Sequence, residues 1–382
     1  MPSSFCATTS SWPAAAAQAS VTRRLARWFT EVFSIPAPSI GSTTDSPMDR
    51  PTLRLTASQF DRIAQIWSQG GTVAFPTETV FGLGANALDP SAVNKIFQAK
   101  GRPSDNPLIV HVGGLDQVPA LTRSIPTSAI ELWEKFGPSP MTLVLPKSDR
   151  IPDCVSAGLP SVGIRIPSHP VALKLLQHAR LPIAAPSANR SGTPSATTWQ
   201  AVLEDLDGKI DAIVCEEGCW HGIESTVLDL TGDRPAILRP GSITWEMIAQ
   251  VLPDLLPLVP HHANPSDLPH AASQPLPSPG LRHPHYQPRA KVEILSEPWL
   301  QVPTRLPAPL AYIGLTHWPP CDHGPALQQT HPSVDSYAKG LYEFFRQADR
   351  FGCQTIVCQP VDPTGVGWAL MDRLRRAADR AP

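Results

Sequence analysis

Apolar positions in the first half of the chain alternate between two periods. From residue 53 to 69 (LRLTASQFDRIAQIWSQ), Phe60, Ile63, Ile66 and Trp67 recur at helical spacing. Thr56 or Ser58 is placed to cap that helix, and Gly70-Gly71 to end it. TVAFPT at 72–77 is a short, nearly continuous apolar run, the pattern of a strand buried on both faces. The Thr- and Gly-rich stretch that follows reads as a turn. Asp89-Pro90-Ser91 then opens a helix with Val93, Ile96 and Phe97 on its core side, and Leu108–Val112 is again strand-like. Further on, the pattern predicts helices over 127–136, 168–179, 197–206 and 244–252. It predicts strands over 141–146, 161–166, 181–185, 210–215 and 225–230. Helices and strands joined by short connections make an α/β sheet domain spanning 48–252.

Residues 253–332 carry 18 prolines in 80 positions. Proline fixes φ and removes an N–H donor, so this interval is neither a continuous helix nor a continuous sheet. It reads as a linker over 253–290 that gives way to short strands at 291–295 and 310–315. Ser336–Phe351 is then helical, with Tyr337, Leu341, Phe344 and Phe345 facing inward. TIVCQP at 355–360 is a strand and Trp368–Ala378 an amphipathic helix, so 291–382 forms a small three-layer α/β domain.

Composition adds constraints. Across 382 residues, hydrophobic content is 42% and charged content 17%, enough for a sizeable core. The net charge of −2 supplies no global field for nucleic acid, so any anion site is local. The 7 cysteines are odd in number and form no dense framework, which suits a reducing, cytoplasmic compartment. Cys215, Cys219 and His221 have a zinc-like spacing, but no second pair lies nearby and thiols in a strand and a loop are the simpler reading. No apolar run reaches the ~18 residues that span a bilayer. Residues 1–47 are rich in Ser, Ala and Pro, and Arg23, Arg24 and Arg27 outnumber the acids there. They read as a disordered tail or an organelle-targeting segment, with Met48 as an alternative start.

Several residues point to chemistry. Lys100 and Arg102 sit at a helix end, between Gly101 and Pro103, which hold the pair in place; arginine grips phosphate as a fork and lysine as a point charge. Residues 184–195 (AAPSANRSGTPS) follow an apolar strand with small hydroxyl-bearing side chains, a pattern that suits either a phosphate or ribose cradle or an ordinary loop. Ser225-Thr226 allows the same two readings. Arg165 ends an apolar run and needs an anionic partner if buried. Glu78 is the one acid in the Thr-rich turn, either a cap or a site group. Neither a GxxxxGK[ST] loop nor a complete GxGxxG fingerprint is present.

Taken together, FPTETVFGLGANA at 75–87, AKGRPSDNPLIVH at 99–111, APSANRSGTPSAT at 185–197, ESTVLDL at 224–230 and LRPGSI at 238–243 resemble the Sua5/YrdC/YciO family. PSPGLRHPHYQP at 277–288 and GVGWALMDRLRRAA at 365–378 resemble the interdomain linker and closing segment of its long, Sua5 form. The resemblance runs over about 48–380. It implies a twisted α/β sheet domain with a concave positive groove, joined to a small Rossmann-like C-terminal domain. It also implies synthesis of L-threonylcarbamoyladenylate and pyrophosphate from L-threonine, bicarbonate and ATP, with Mg²⁺ accompanying the ATP and no fixed protein ligands for metal. The product feeds t6A formation at position 37 of tRNA.

By motif position, the resemblance carries the signature residues Lys100, Arg102, Ser187 and Asn189. It assigns Thr79, His111, Arg165, Ala185 and Ser225 to L-threonine, and Arg102, Asn106, Ser161, Ser187, Ser195 and Arg239 to ATP. Tyr286 of the linker is expected to close over the site. Phe81 stands where the family usually has Tyr, and Ser161 where Thr is common. Contact with tRNA or with the t6A transferase stays open; no membrane partner is expected. Two rivals remain: an RNA-binding YrdC-like module without synthase activity, opposed by the net charge and by the 7% aromatic content, and a carbamoyl-phosphate-dependent transferase, whose relatives carry zinc-finger and acylphosphatase-like parts not visible here.

Overall fold

The computed structural model describes residues 51–256, 285–295, 307–319 and 324–379. The tail at 1–47 lies outside them, as do His261, His262 and His270 and the first part of the PSPG linker motif.

The first domain is built on a mixed ten-stranded sheet. Its strands are β1 (Leu53–Leu55), β2 (Val73–Phe75), β3 (Gly82–Asn86), β4 (Ile109–His111), β5 (Met141–Pro146), β6 (Ser161–Arg165), β7 (Ile183–Ala184), β8 (Ala212–Val214), β9 (Thr226–Asp229) and β10 (Ala236–Arg239), in the order β1-β8-β2-β3-β7-β4-β6-β5-β9-β10. Helices cover both faces; α4 (Asp153–Ser156), α6 (Trp199–Leu206) and α7 (Trp245–Ala249) complete the α-helices of this domain among the described residues. On one face, α1 (Phe60–Ser68) and α5 (Pro170–Ala179) bury Ile63, Ile66, Trp67, Leu175 and Leu176 against Val73 and Phe75. On the other, α2 (Pro90–Lys100) and α3 (Thr127–Phe136) bury Val93, Ile96, Leu132 and Trp133 in a cluster that includes Ala74, Leu83 and Val110. Strand β2 thus feeds both cores, with Val73 and Phe75 to one side and Ala74 to the other, as alternation in a two-sided sheet requires. Each fully buried Val, Leu, Ile or Phe contributes about 1.5–3 kcal/mol.

Two local expectations change. The helix at 60–68 starts from Gln59 with no side-chain cap; Gln59 Oε1 instead accepts the Thr56 N–H at 2.9 Å. The glycine-rich stretch read as a turn contains strand β3, paired antiparallel with β2 and β7. Gly84 serves space: a Cβ there would lie 2.6 Å from Ile183 Cγ2 and 2.8 Å from the Phe75 ring.

The second sheet is parallel throughout, with β11 (Lys291–Ile294), β12 (Leu310–Gly314), β13 (Leu327–Thr330) and β14 (Thr355–Cys358) in the order β11-β14-β12-β13. Helices α8 (Val334–Phe351) and α9 (Val366–Ala378) pack on one face, over Val292, Ala311, Ile313, Ile356 and Cys358. Leu295, Tyr312, Trp318 and Val357 cluster on the other face. Among the described residues this domain therefore has two layers rather than three. Its apolar core continues into the first domain through Val80 and Ile223. No helix among the described residues is long and apolar enough to cross a membrane.

Candidate functional site

The strand register brings the predicted groups to one edge of the large sheet. His111 ends β4 and lies opposite Arg165, which ends β6; Arg165 lies opposite Thr142 of β5. Thr142 Oγ1 is 2.8 Å from Ser225 Oγ, just before β9, and Arg239 ends β10. Ala185 follows β7. The 185–189 loop is held to the 81–83 segment by Leu83 N–H to Pro186 O and Ala188 N–H to Phe81 O, at 2.8 and 2.7 Å. A cleft with about 580 Å³ of empty space, part of it open to solvent, lies against this edge. Thr79, Arg102, His111, Arg165, Ala185, Ser187, Ser225, Arg239 and Tyr286 line it, together with Glu224 and His285.

Three arginines against one carboxylate make the cleft cationic. Arg165 donates through Nη2 to Glu78 Oε1 at 2.7 Å and to Thr79 Oγ1 at 3.0 Å, while its buried Nε has no partner. Arg102 donates through Nη2 to the carbonyls of Asn106 and Pro107 at 3.3 and 3.2 Å, and its Nε is likewise buried without a partner. Burial holds the Arg102 guanidinium at about 10, below its ordinary value. A buried guanidinium N–H with no acceptor is costly unless a ligand supplies one, so both groups suit an anion. Arg239 donates through Nε and Nη2 to the Ser225 carbonyl at 3.1 and 3.0 Å. Burial, and then the nearby Arg165, hold the His111 imidazole down to about 3, so it is neutral, with Nδ1 3.3 Å from Ile109 O.

Five predicted residues lie behind this lining. Lys100, 2% exposed, turns inward and donates through Nζ to the carbonyls of Ser187 and Asn189, each at 2.5 Å. Burial, then the neighbouring Arg102, push its ammonium well below the ordinary lysine value. The helix reaches that point because Gly101, at φ +58°, closes it in a left-handed cap. Asn189 accepts from Ser187 Oγ at 2.5 Å and donates to the Arg190 and Thr193 carbonyls, fixing the loop. Asn106 offers its carbonyl to Arg102. Ser161 lines a small neighbouring cavity with Pro107 and Thr142 that shares Ile109 with the cleft. Ser195 donates to Glu224 Oε1 at 2.6 Å. Phe81 is fully buried in the main core and also borders the cleft.

Sequence reasoning left Glu78 undecided and passed over Glu224. Glu78 has no exposure; burial alone would raise its pKa, but Arg165 brings it below the ordinary value. Its second oxygen accepts the His169 N–H at 3.2 Å. A lone acid between threonines was the only signal for it. Tyr286 is buried at φ +66°, stacked on Tyr342 with ring centroids 5.3 Å apart. Among the described residues no cluster of three or more His, Cys, Asp or Glu is placed to hold a metal ion.

Comparisons with known proteins give the family of the chain. Residues 65–241 match the Sua5_yciO_yrdC family model, described as telomere recombination, and residues 243–379 match one described as threonylcarbamoyl-AMP synthase, C-terminal domain. The chain is 40% identical over 317 residues to a threonylcarbamoyl-AMP synthase of Pyrococcus abyssi, covering 81% of this chain and 91% of that one. It is 40% identical over 331 residues to a threonylcarbamoyl-AMP synthase of Bacillus subtilis, covering 84% and 93%. The fold is similar to the crystal structure of P. abyssi Sua5 complexed with L-threonine, with a TM-score of 0.75 and 36% identity over 86% of this chain and 97% of that one.

Proposed function

Because the chain belongs to the Sua5/YrdC/YciO family in its long, two-domain form, we infer that it is a threonylcarbamoyl-AMP synthase, a nucleotidyltransferase with L-threonine as substrate. Its co-substrates are bicarbonate and ATP, and its product serves t6A formation on tRNA. The observation that carries this reading is the presence, in one cleft, of two buried arginines whose Nε atoms lack partners, Arg165 held on Thr79 and Arg102 on the Asn106 and Pro107 carbonyls. Two such anion-seeking groups suit two anionic substrates, an amino acid and a triphosphate.

On the amino-acid side, Arg165 is held by Glu78 and Thr79 so that its remaining edge faces the substrate carboxylate. His111, held neutral, adds no positive charge beside the threonine amine. The free amine condenses with bicarbonate: a C–N bond forms, a C–O bond of bicarbonate breaks, and water leaves to give the carbamate. A carbamate oxygen then attacks the α-phosphorus in line; the bond to the β-phosphate oxygen breaks, and pyrophosphate leaves. Arg102 and Arg239 take up charge on the phosphates, and Ser187, backed by Lys100 and Asn189, fixes the loop they meet. No covalent nucleophile is needed; positioning and charge neutralisation suffice. Tyr286, closing over the cleft, keeps water from the labile carbamate.

Mg²⁺ fits as an ion that arrives on the nucleotide. Glu224, the one carboxylate among the described residues lining the cleft, already accepts from Ser195, Tyr342 and Arg373, so phosphate oxygens would supply the ligands and the ion would spread triphosphate charge. Calorimetric titration with L-threonine tests the amino-acid side. Binding by the full chain and its loss in Arg165→Ala are expected; unchanged threonine binding in that variant contradicts the assignment.

A further inference from the structure

Glu224 is a buried carboxylate in a cleft built for anions, and most of what holds it comes from the C-terminal domain. Its Oε1 accepts from Ser195 Oγ at 2.6 Å. Its Oε2 accepts from Tyr342 OH and from Arg373 Nε, each at 3.0 Å. Tyr342 lies on α8 and Arg373 on α9, and neither is exposed. Arg373 also donates through Nη2 to the Pro240 carbonyl at 2.9 Å, immediately after Arg239, and through Nη1 to Asp372 at 2.6 Å. Tyr286 stacks on the same Tyr342 ring, with the Arg373 guanidinium 5.6 Å from its own ring centroid.

An unpaired carboxylate here would repel a triphosphate and draw in the nearest cleft cation. That cation is Arg239, which donates to the carbonyl of Ser225, the residue next to Glu224, and whose charge already acts on Glu224, second to that of Arg373. We infer that the C-terminal domain is a working part of the nucleotide side of the cleft: Tyr342 and Arg373 are positioning residues that hold Glu224 on Ser195 and off Arg239. Arg239 then stays on the Ser225 carbonyl, facing the phosphates. The same two residues seat Tyr286, so the closed lid and the ordered nucleotide side share one support. This rests on the nucleotide assignment made above.

The test uses four full-length variants: Tyr342→Phe, Arg373→Gln, Glu224→Gln and the double Arg373→Gln/Glu224→Gln. Equilibrium binding of a non-hydrolysable ATP analogue and of L-threonine is measured for each, with KM and kcat alongside. Tyr342→Phe keeps the ring under Tyr286 and removes one hydrogen bond to a charged group, so nucleotide binding weakens about tenfold while threonine binding is unchanged. Arg373→Gln releases Glu224 and weakens nucleotide binding about a hundredfold. The double variant, with no free carboxylate to capture Arg239, recovers about tenfold of that loss. A purely structural role predicts that binding of both ligands is lost and recovered together. Unchanged nucleotide binding in Tyr342→Phe, parallel loss of both ligands, or a double variant no better than Arg373→Gln overturns the inference. If Arg373→Gln does not fold, Tyr342→Phe decides. Binding needs no turnover, so a wild-type chain that binds nucleotide but releases no pyrophosphate counts against the synthase reading and not against this one.

Discussion

Arg165 donates to Glu78 at 2.7 Å, and the two side chains are 5% and 0% exposed. Removing one member of such a pair strands the other charge in the interior. Glu78→Ala is therefore expected to lower the unfolding free energy by about 3–5 kcal/mol, and Glu78→Gln by less. Denaturant titration measures both; equal, small losses would mean that the ion pair does not anchor the 77–80 turn.

Arg102 carries the opposite expectation. Its guanidinium is buried with only two long hydrogen bonds to carbonyls and an unpartnered Nε. Arg102→Ala should change stability by no more than about 1 kcal/mol, yet lower kcat/KM by about 10²–10³. Arg102→Lys should not restore the rate, because an ammonium lacks the fork. Steady-state kinetics with thermal melts separate these outcomes, and a fully active Arg102→Ala would remove the residue from the site.

Acid should destabilise the fold in two stages. Burial holds both His111 and His285 to about 3, well below the 6.5 of an unburied histidine. As pH falls from 6.5 the unfolded chain therefore takes up protons that the folded chain refuses, and stability falls. Each such histidine adds a slope of at most about 1.4 kcal/mol per pH unit. Glu78 and Glu224 lie below the ordinary carboxylate value of 4.5, so the stability they give is present above pH 4.5 and is lost only below it. The interval from 6.5 to 4.5 thus isolates the histidines. His111→Gln should flatten the slope of unfolding free energy against pH there by close to one proton; an unaltered slope would show that His111 titrates normally.

The contact between the two domains has a sharp steric requirement at Gly222. It sits at φ +71°, and a Cβ there would lie 2.4 Å from Lys339 Cα in α8. Backbone cannot yield as a side-chain tip can. Gly222→Ala is expected to cost about 2 kcal/mol or more and to loosen α8 from the first domain, read as faster proteolysis or hydrogen exchange in α8. Unchanged exchange there would refute the close approach.

Much of this architecture was legible in the chain. Ile63, Ile66 and Trp67, or Phe344 and Phe345, declare their helices by spacing, and the motifs around Arg102, Ser187 and Ser225 mark the cleft before any fold is known. Strand β3 was hidden because Gly82 and Gly84 look like turn residues, whereas Gly84 makes room for Phe75 and Ile183. Lys100 reads as a phosphate ligand, but its Nζ is committed to two carbonyls. Glu224 was missed because its partners Tyr342 and Arg373 lie 118 and 149 residues away. An arginine on an amphipathic helix reads as solvated, yet Arg373 is fully buried. Local spacing cannot reveal pairings made only when two domains meet.

Pyrophosphate release from the full-length chain incubated with ATP, L-threonine and bicarbonate decides whether the cleft is a synthase site. Release should require both threonine and bicarbonate and fall about 10²–10³-fold in Arg102→Ala. Release that continues when either co-substrate is withheld, or none with all three present, would contradict the synthase reading.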